Sequence, residues 1–254
     1  MKVKNKISII LMLALAITAC TKGTETTSDT TNDTTWSVEA AEPDSVLTPL
    51  FAKYFRIEYY PTYKVAVVLN PWDSAKVMAR HKITAEAERV AAGSCSHIAF
   101  IDNIGCTNRI KGVCSANLIY NPAVREALKN GGCIDLGDSF SVNFEPVMML
   151  KPSLFFATAY NQPDQHIERL RESGINIVST VEWIEPDILG RAEWIKFIAA
   201  FFNKEREADS LFNSVMSNYD RQIERAANAE STPSILPGLT FKGVWYMPAG
   251  RISR

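Results

Sequence analysis

The chain has 254 residues, of which 46% are apolar and 22% charged, and its net charge is −1. This composition supports a sizeable hydrophobic core in one or two domains. Because the charges are balanced and no basic block occurs, nucleic acid is not the expected partner.

The first twenty residues have the pattern of a bacterial secretion signal. A short lysine-rich start precedes an apolar run from Ile7 to Ala16 and then Cys20. The run is about half of the ~20 residues that a membrane-spanning helix needs. Cys20 lies where a lipoprotein signal places its lipid-bearing residue, so we predict a signal peptide and lipobox over residues 1–20, with acyl chains on Cys20. The alternative is an ordinary cleaved secretory signal in which Cys20 is incidental.

Residues 21–46 are rich in Thr, Ser, Asp and Asn, and large apolar side chains are scarce among them. Such a segment buries too little apolar surface to offset its chain entropy, so it predicts a disordered tether. Sustained apolar character begins at Leu47. The sequence therefore predicts a protein of the bacterial cell envelope that is lipid-anchored to a membrane and faces the periplasm.

The first folded elements are predicted to be extended. Apolar runs over residues 57–60, 63–69 and 75–83 alternate with turn residues, and residues 70–74 contain Asn, Pro, Asp and Ser. The last two runs predict a β-hairpin that precedes an N-terminal lobe.

From residue 88 short apolar strands alternate with amphipathic helices. This alternation predicts right-handed crossovers and a mostly parallel sheet that is covered on both faces. The fold class is therefore α/β, with a Rossmann-like lobe over residues 47–189. The expected strands are 89–93, 109–113, 134–136, 153–159 and 175–179, and the expected helices are those capped by Ser94 or Ser96, by Asn121 and by Asn143, together with 163–174.

Residues 190–230 predict one long helix, or two with a bend near Asn203. Aromatic residues recur there at helical spacing, and we expect them to be core: Trp194, Phe197, Phe201 and Phe202. Residues 231–254 add a Pro-containing loop and one predicted strand, 241–247. An α/β chain that ends soon after a lone strand has the pattern of an interrupted second lobe.

The remaining cysteines are Cys95, Cys106, Cys114 and Cys133. They include no CxxC pair and no zinc-like spacing with histidine, so both a disulfide and buried free thiols are compatible with the pattern. No GxSxG, HExxH or GxxxxGK[ST] motif supports an exported hydrolase, a metalloprotease or an ATPase. We therefore expect no enzymatic activity.

Several local patterns, in this order, resemble the periplasmic binding proteins that serve ABC importers of iron–siderophore, haem and cobalamin. Residues 88–97 are similar to the family's first strand and Ser-rich turn, and residues 109–113 and 120–122 to its second strand and following loop. Residues 143–152 are similar to its "N-x-E-x-x-x-x-L-x-P-D" signature, with Ser153 in place of the aspartate. Residues 190–195 resemble the start of its bridging helix.

The resemblance implies a lipid-anchored receptor that captures an iron chelate or corrinoid and delivers it to the permease subunits of an ABC importer. Ferric siderophore, haem or cobalamin would be the transported ligand, and no resident cofactor or metal is implied. In the family a second α/β lobe follows the bridging helix, and this chain supplies only its first strand, which indicates truncation. The alternatives are a truncated remnant that binds nothing, a haem receptor and a receptor for bare divalent metal.

By the same resemblance, Glu145 is the exposed carboxylate that docks onto arginines of the permease. The alternative is a solvated glutamate in the first turn of a helix, where the helix dipole favours it.

Ligand-binding candidates come from loops at the carboxyl ends of the predicted strands, where open α/β sheets place ligands. Aromatic and polar side chains there suit a large planar or chelated ligand. Each is alternatively an ordinary loop or packing residue, and His97 is either a haem or metal ligand or a residue that caps or packs at a helix start. The candidates are Ser96, His97, Asn117, Tyr120, Phe140, Tyr160, Asn161, Trp183 and Glu185, with Trp245 and Tyr246 from the second lobe.

Overall fold

The computed structural model describes residues 42–73, 76–231, 234 and 238–247. The first four strands form an antiparallel sheet in chain order: β1 (Ser45–Leu47), β2 (Phe55–Tyr59), β3 (Lys64–Leu69) and β4 (Val77–Ile83). The predicted hairpin is thus β3 and β4, and β1 and β2 extend it to four strands. β1 begins at Ser45, within the segment expected to be tether.

Seven short strands follow: β5 (Val90–Ala92), β6 (Ile110–Val113), β7 (Ile134–Asp135), β8 (Gly137–Asp138), β9 (Ser141–Val142), β10 (Leu154–Thr158) and β11 (Ile177–Thr180). Five of them form a parallel sheet in the order β11-β10-β5-β6-β7, and β8 pairs with β9 in a small antiparallel hairpin. The predicted α/β class with a mostly parallel sheet is confirmed.

Six α-helices connect or follow these strands: α1 (Cys95–Asn103), α2 (Pro122–Lys129), α3 (Phe144–Leu150), α4 (Gln165–Glu172), α5 (Ile188–Ala200) and α6 (Glu205–Ala227). Ser94 caps α1, since its hydroxyl accepts the N–H of His97 at 3.3 Å. Asn121 caps α2 as predicted. Asn143 occupies the cap position of α3, but its side chain makes no capping bond there.

The predicted long helix is two helices, α5 and α6, which are interrupted at residues 201–204. Asn203 has a φ of +52°, a left-handed conformation that a continuous helix does not contain. Lys64 stabilises this break, because its Nζ donates to the main-chain oxygen of Ala200 at 3.1 Å and to Asn203 Oδ1 at 2.8 Å. The bend expected near Asn203 is therefore the arrangement that forms.

Two apolar clusters pack on opposite faces of the parallel sheet. Alternate residues of β10 point to opposite faces, so Phe156 joins the cluster with Trp194 and Phe197, and Phe155 joins the one with Leu170. The predicted aromatic core of α5 is confirmed, since Trp194 and Phe197 are fully buried. Because both faces are covered, the edges of this sheet are where it presents a surface to solvent.

The segment near residue 240 is a hairpin, β12 (Leu239–Phe241) and β13 (Val244–Tyr246), where a single strand was expected. Lys242 and Gly243 both have positive φ, at 50° and 76°, as a two-residue hairpin turn requires. The turn reverses the chain in the middle of the predicted strand. Most of the predicted loop over 232–238 lies outside the described residues.

Candidate functional site

The carboxyl ends of the parallel strands form the edge where a ligand site is expected. From β5 the chain proceeds to β6 and β7 on one side, and β10 and β11 lie on the other. The connections therefore diverge between β5 and β10, the position at which open α/β sheets bind ligands. Gly93 ends β5 there, and a Cβ on it would lie 2.7 Å from the main-chain oxygen of Phe156, so only glycine fits.

Three exposed aromatic side chains meet at this edge, and we call Phe140, Tyr160 and Trp183 the aromatic platform. The ring centroids of Phe140 and Tyr160 are 5.7 Å apart, and those of Tyr160 and Trp183 are 5.5 Å apart. The three side chains are 67%, 38% and 41% exposed in chain order. Trp183 is held in place by its indole N–H, which donates to the main-chain oxygen of Ala159 at 3.1 Å.

A small cleft lies beside the platform and is lined by residues that include Ser94, Ser139 and Tyr160. Its volume is about 60 Å³. That space admits water but is far below the roughly 300–1,000 Å³ of a small-molecule pocket. A large ligand would therefore lie against the platform and would not be enclosed by this lobe.

Three other predicted residues, Asn117, Tyr120 and Asn161, are exposed on loops of the same edge. Asn161 directly follows Tyr160 of the platform. Tyr120 is 84% exposed, and no ring contact joins it to the platform in the described part of the chain. These residues are available to a ligand but are not assembled with the three rings.

Two predicted ligand residues, His97 and Glu185, lie in the interior and do not form part of the exposed edge. His97 is fully buried, and its Nε2 lies 2.8 Å from the hydroxyl of Thr180. Burial lowers the pKa of His97, and the nearby carboxylate of Glu182 only partly opposes this effect. The imidazole is therefore neutral and packed, as the alternative interpretation of His97 proposed.

Glu185 is the second interior residue. Its carboxylate accepts the main-chain N–H groups of Lys53 and Tyr54 and the indole N–H of Trp194, the last at 3.0 Å. Burial raises the pKa of Glu185, although these donors favour the charged form. The side chain anchors the segment before β2 and does not reach the edge.

Glu182 is the residue that the sequence analysis missed. It follows β11, is 6% exposed, and its Oε1 accepts the hydroxyl of Ser96 at 2.5 Å. Ser96 also contacts Ser94, with their hydroxyl oxygens 2.8 Å apart. The predicted Ser96 therefore belongs to a half-buried polar network with Ser94, which lines the cleft beside Tyr160. The position of Glu182 at the end of an apolar strand was the available signal, but the prediction named Trp183 and Glu185, which both follow it in the chain.

Glu145 lies in the first turn of α3 and is exposed. It makes no ion pair with any described residue. A shallow groove around it includes Asn143, Phe144 and Arg169, and the Arg169 guanidinium lies 4.0 Å from the centroid of the Phe144 ring. The predicted docking carboxylate is therefore accessible, in a groove whose lining residues differ from those of the cleft beside the platform.

Trp245 and Tyr246 lie on β13, and the two residues are 50% and 54% exposed. Both are accessible, as a role in ligand contact requires. Cys20, the predicted lipid site, lies outside the described residues.

The four later cysteines are free thiols, of which Cys95 is exposed and the other three are buried. In the described part of the chain, no cluster of three or more His, Cys, Asp or Glu side chains could hold a metal ion. Within the same residues, no helix combines the length and apolar character needed to cross a bilayer.

The structure is an α/β lobe with three exposed aromatic side chains at the carboxyl edge of its parallel sheet. The family model described as "Periplasmic binding protein" matches residues 104–252, more than half of the chain. The chain belongs to the periplasmic binding protein family.

A relative is an uncharacterized lipoprotein of Methanocaldococcus jannaschii, which is 24% identical over 94% of this chain and 66% of its own length. A second uncharacterized lipoprotein of that organism is 30% identical over 46% of this chain and 30% of its own length. The chain thus spans at most about two thirds of either relative.

Two solved structures share the fold. One is a periplasmic binding protein from Veillonella parvula, with a TM-score of 0.56 and 19% identity over 74% of this chain and 60% of that one. The other is described as a possible iron-binding periplasmic solute-binding protein from Staphylococcus epidermidis, with a TM-score of 0.52 and 17% identity over 66% of this chain and 62% of that one.

Proposed function

We propose that this chain is the lipid-anchored substrate-binding component of an ABC importer and that it captures an iron chelate or corrinoid. The observation that carries the proposal is the aromatic platform at the carboxyl edge of the parallel sheet. Three adjoining aromatic rings offer a large apolar contact area to a macrocycle or chelate, and the adjacent hydroxyl and amide groups offer hydrogen bonds.

The anchor is proposed to be the acylated Cys20, which leaves the lobe facing the periplasm. Two relatives carry the name lipoprotein, which supports this assignment. Glu145 is proposed to dock the loaded protein onto arginines of the permease subunits, because its carboxylate is exposed and has no ion-pair partner among the described residues. The protein would release its ligand unchanged, without turnover.

Fluorescence quenching of the full chain tests the proposal. Cyanocobalamin, a ferric hydroxamate siderophore, haemin, Zn²⁺ and Mn²⁺ are titrated separately. We expect saturable quenching by a corrinoid or ferric chelate that weakens about tenfold in Phe140→Ala, because removing a stacking ring costs roughly 1–2 kcal/mol. Ile223→Ala, which shortens an exposed side chain of α6, is the matched control and should bind normally.

The alternatives give different results. Quenching by haemin alone would identify a haem receptor, and quenching by Zn²⁺ or Mn²⁺ alone would identify a receptor for bare ions. If no ligand quenches the fluorescence, the chain is a remnant that binds nothing.

A further inference from the structure

The loops at the carboxyl edge of the parallel sheet carry acidic residues and no basic ones. Residues 93–94, 114–121, 136–143, 159–164 and 181–187 contain no lysine or arginine. They contain five carboxylates instead: Asp138, Asp164, Glu182, Glu185 and Asp187. An excess of carboxylates over basic residues within these loops favours cations and opposes anions.

Four of these five carboxylates have an evident structural role. Asp164 caps α4 and Asp187 caps α5. Asp138 accepts the main-chain N–H of Phe140 at 2.8 Å, and Glu185 is buried among main-chain donors as described above. Glu182 is the exception.

Glu182 has a buried carboxylate oxygen without a partner. Its Oε1 is bonded to Ser96, but its Oε2 makes no hydrogen bond to any described residue, although the side chain is almost fully buried. The only ion-pair contact among those residues is to His97, at 3.8 Å, and that imidazole is held neutral by burial. A buried carboxylate without a cationic partner is costly, so a positively charged ligand group would stabilise it.

Chain connectivity and hydrogen bonds link the free carboxylate to the aromatic platform. Trp183 is the next residue in the chain, and its ring centroid lies 5.5 Å from that of Tyr160. Glu182 is also bonded through Ser96 to Ser94, which lines the same cleft as Tyr160. The negative charge of Glu182 adds to the effect of burial in raising the pKa of the Tyr160 hydroxyl. Aromatic faces beside a carboxylate attract cations through both the ring quadrupole and the charge.

From this geometry we infer that the ligand presents a positive charge to the platform and that Glu182 is the specificity-determining residue that receives it. The ligand class is a cationic chelate or corrinoid, as opposed to an anionic one such as a polycarboxylate or catecholate complex. This inference rests on the proposed function and narrows it.

A series of ferric chelates with one core and three charges tests the inference. Ferrioxamine B carries a free ammonium group, its N-acetyl derivative is neutral, and its N-succinyl derivative is anionic. We expect the full chain to bind the cation about tenfold more tightly than the anion, with the neutral chelate between them, as a partly solvated charge pair provides. Aquacobalamin against neutral cyanocobalamin repeats the comparison on a corrinoid core.

The variant Glu182→Gln should reduce the cation preference to less than about threefold, while Glu126→Gln, which removes an exposed charge on α2, should retain it. A shift from 50 to 500 mM NaCl should weaken binding of the cation by wild type and leave the neutral chelate nearly unaffected, which tests the inference without a variant.

Equal or tighter binding of the anion, or an unchanged preference in Glu182→Gln, would overturn the inference while leaving the proposed function intact. Absence of binding by every chelate and corrinoid would overturn the proposed function itself.

Discussion

Glu193 Oε2 lies 2.8 Å from the main-chain nitrogen of Phe51, a residue 142 positions earlier in the chain. The same fully buried carboxylate accepts the N–H groups of Leu50 and Ala52, and Lys196 Nζ lies 3.4 Å from it. Glu185 receives the next two N–H groups in the chain. Two glutamates therefore hold five consecutive main-chain amides and fix the segment before β2 against α5.

The first prediction concerns this anchor. Glu193→Ala removes the acceptor of three N–H groups, so we expect the free energy of unfolding to fall by about 2–4 kcal/mol. Urea denaturation followed by circular dichroism measures the change. Glu224→Ala, on the exposed part of α6, is the control and should unfold like wild type. An equally small effect of both variants would contradict the structural role of Glu193.

The second prediction is a loss of stability in mild acid. Burial lowers the pKa of His81 from 6.5 to about 3, helped by the positive charge of Arg171, and burial also lowers the pKa of His97. In the unfolded chain both imidazoles bind protons near pH 6.5, whereas in the fold they remain neutral. Stability is therefore fully present above about pH 6.5 and decreases as the pH falls toward the folded-state values.

Urea midpoints at pH 7 and pH 5 test this, because the imidazoles of the unfolded chain gain their protons within that interval. Each histidine contributes up to about 1.4 kcal/mol per pH unit. His81→Phe should retain more of its stability at pH 5 than wild type does, and His166→Phe, on the exposed side of α4, should not. A pH-independent midpoint in wild type would refute the prediction.

The sequence was sufficient where local signals determine structure. Asn121 and Pro122 predict the start of α2 because the cap and the fixed φ of proline act within one turn, and the structure confirms it. The alternation of apolar strands and helices predicted the parallel sheet, because a helix between two strands returns the chain in the same direction. The exposed platform also followed from locating loops at strand ends, although no pattern indicated that Phe140, Tyr160 and Trp183 would meet.

The remainder depends on contacts between distant residues. The sequence places both His97 and Glu185 near strand ends, where loop side chains are expected. The partner of His97 is Thr180, 83 positions away. The partners of Glu185 include the amides of Lys53 and Tyr54, more than 130 positions away. Sequence reasoning assigns polar residues to the surface unless a partner is known. Glu182 was missed for the same reason, since its hydrogen-bond partner Ser96 lies 86 positions earlier in the chain.

The third prediction concerns the close approach of Gly93, after β5, to the main chain of Phe156 in β10. Gly93→Ala places a Cβ against the main-chain oxygen of Phe156, which cannot move without separating β5 from β10. We expect a loss of more than about 2 kcal/mol in unfolding free energy. Gly132→Ala meets the flexible side chain of Asn130 at 3.0 Å and Ala127 at an ordinary contact distance of 3.7 Å, so it should be nearly neutral. A well-folded Gly93→Ala protein with wild-type stability would show that the close approach is not required.

The fourth prediction addresses the junction between α5 and α6. Lys64→Met removes the donor that bonds Ala200 and Asn203 and pairs with Glu205. Hydrogen exchange at the start of α6 should accelerate by about tenfold, corresponding to roughly 1.4 kcal/mol of local stability. Lys129→Met, an exposed lysine of α2, should leave that exchange unchanged. If hydrogen exchange at the start of α6 is the same in Lys64→Met as in wild type, helix packing alone sets the bend.

The last prediction separates docking from capture. Glu145 is exposed on α3 and makes no ion pair with any described residue, so its charge can be removed without breaking a salt bridge in the fold. An interfacial carboxylate that meets an arginine contributes orientation and association rate, and its loss exposes an unpaired guanidinium on the partner. Glu145→Ala should therefore reduce stimulation of the transporter's ATPase several-fold while ligand affinity stays at the wild-type value.

Glu126→Ala is the matched control, because it removes another exposed glutamate, from α2, and should stimulate normally. Reconstituted transporter in liposomes, titrated with each loaded protein, supplies the measurement. If Glu145→Ala stimulates as well as Glu126→Ala does, the carboxylate is only a solvated residue of the first helical turn and docking resides elsewhere.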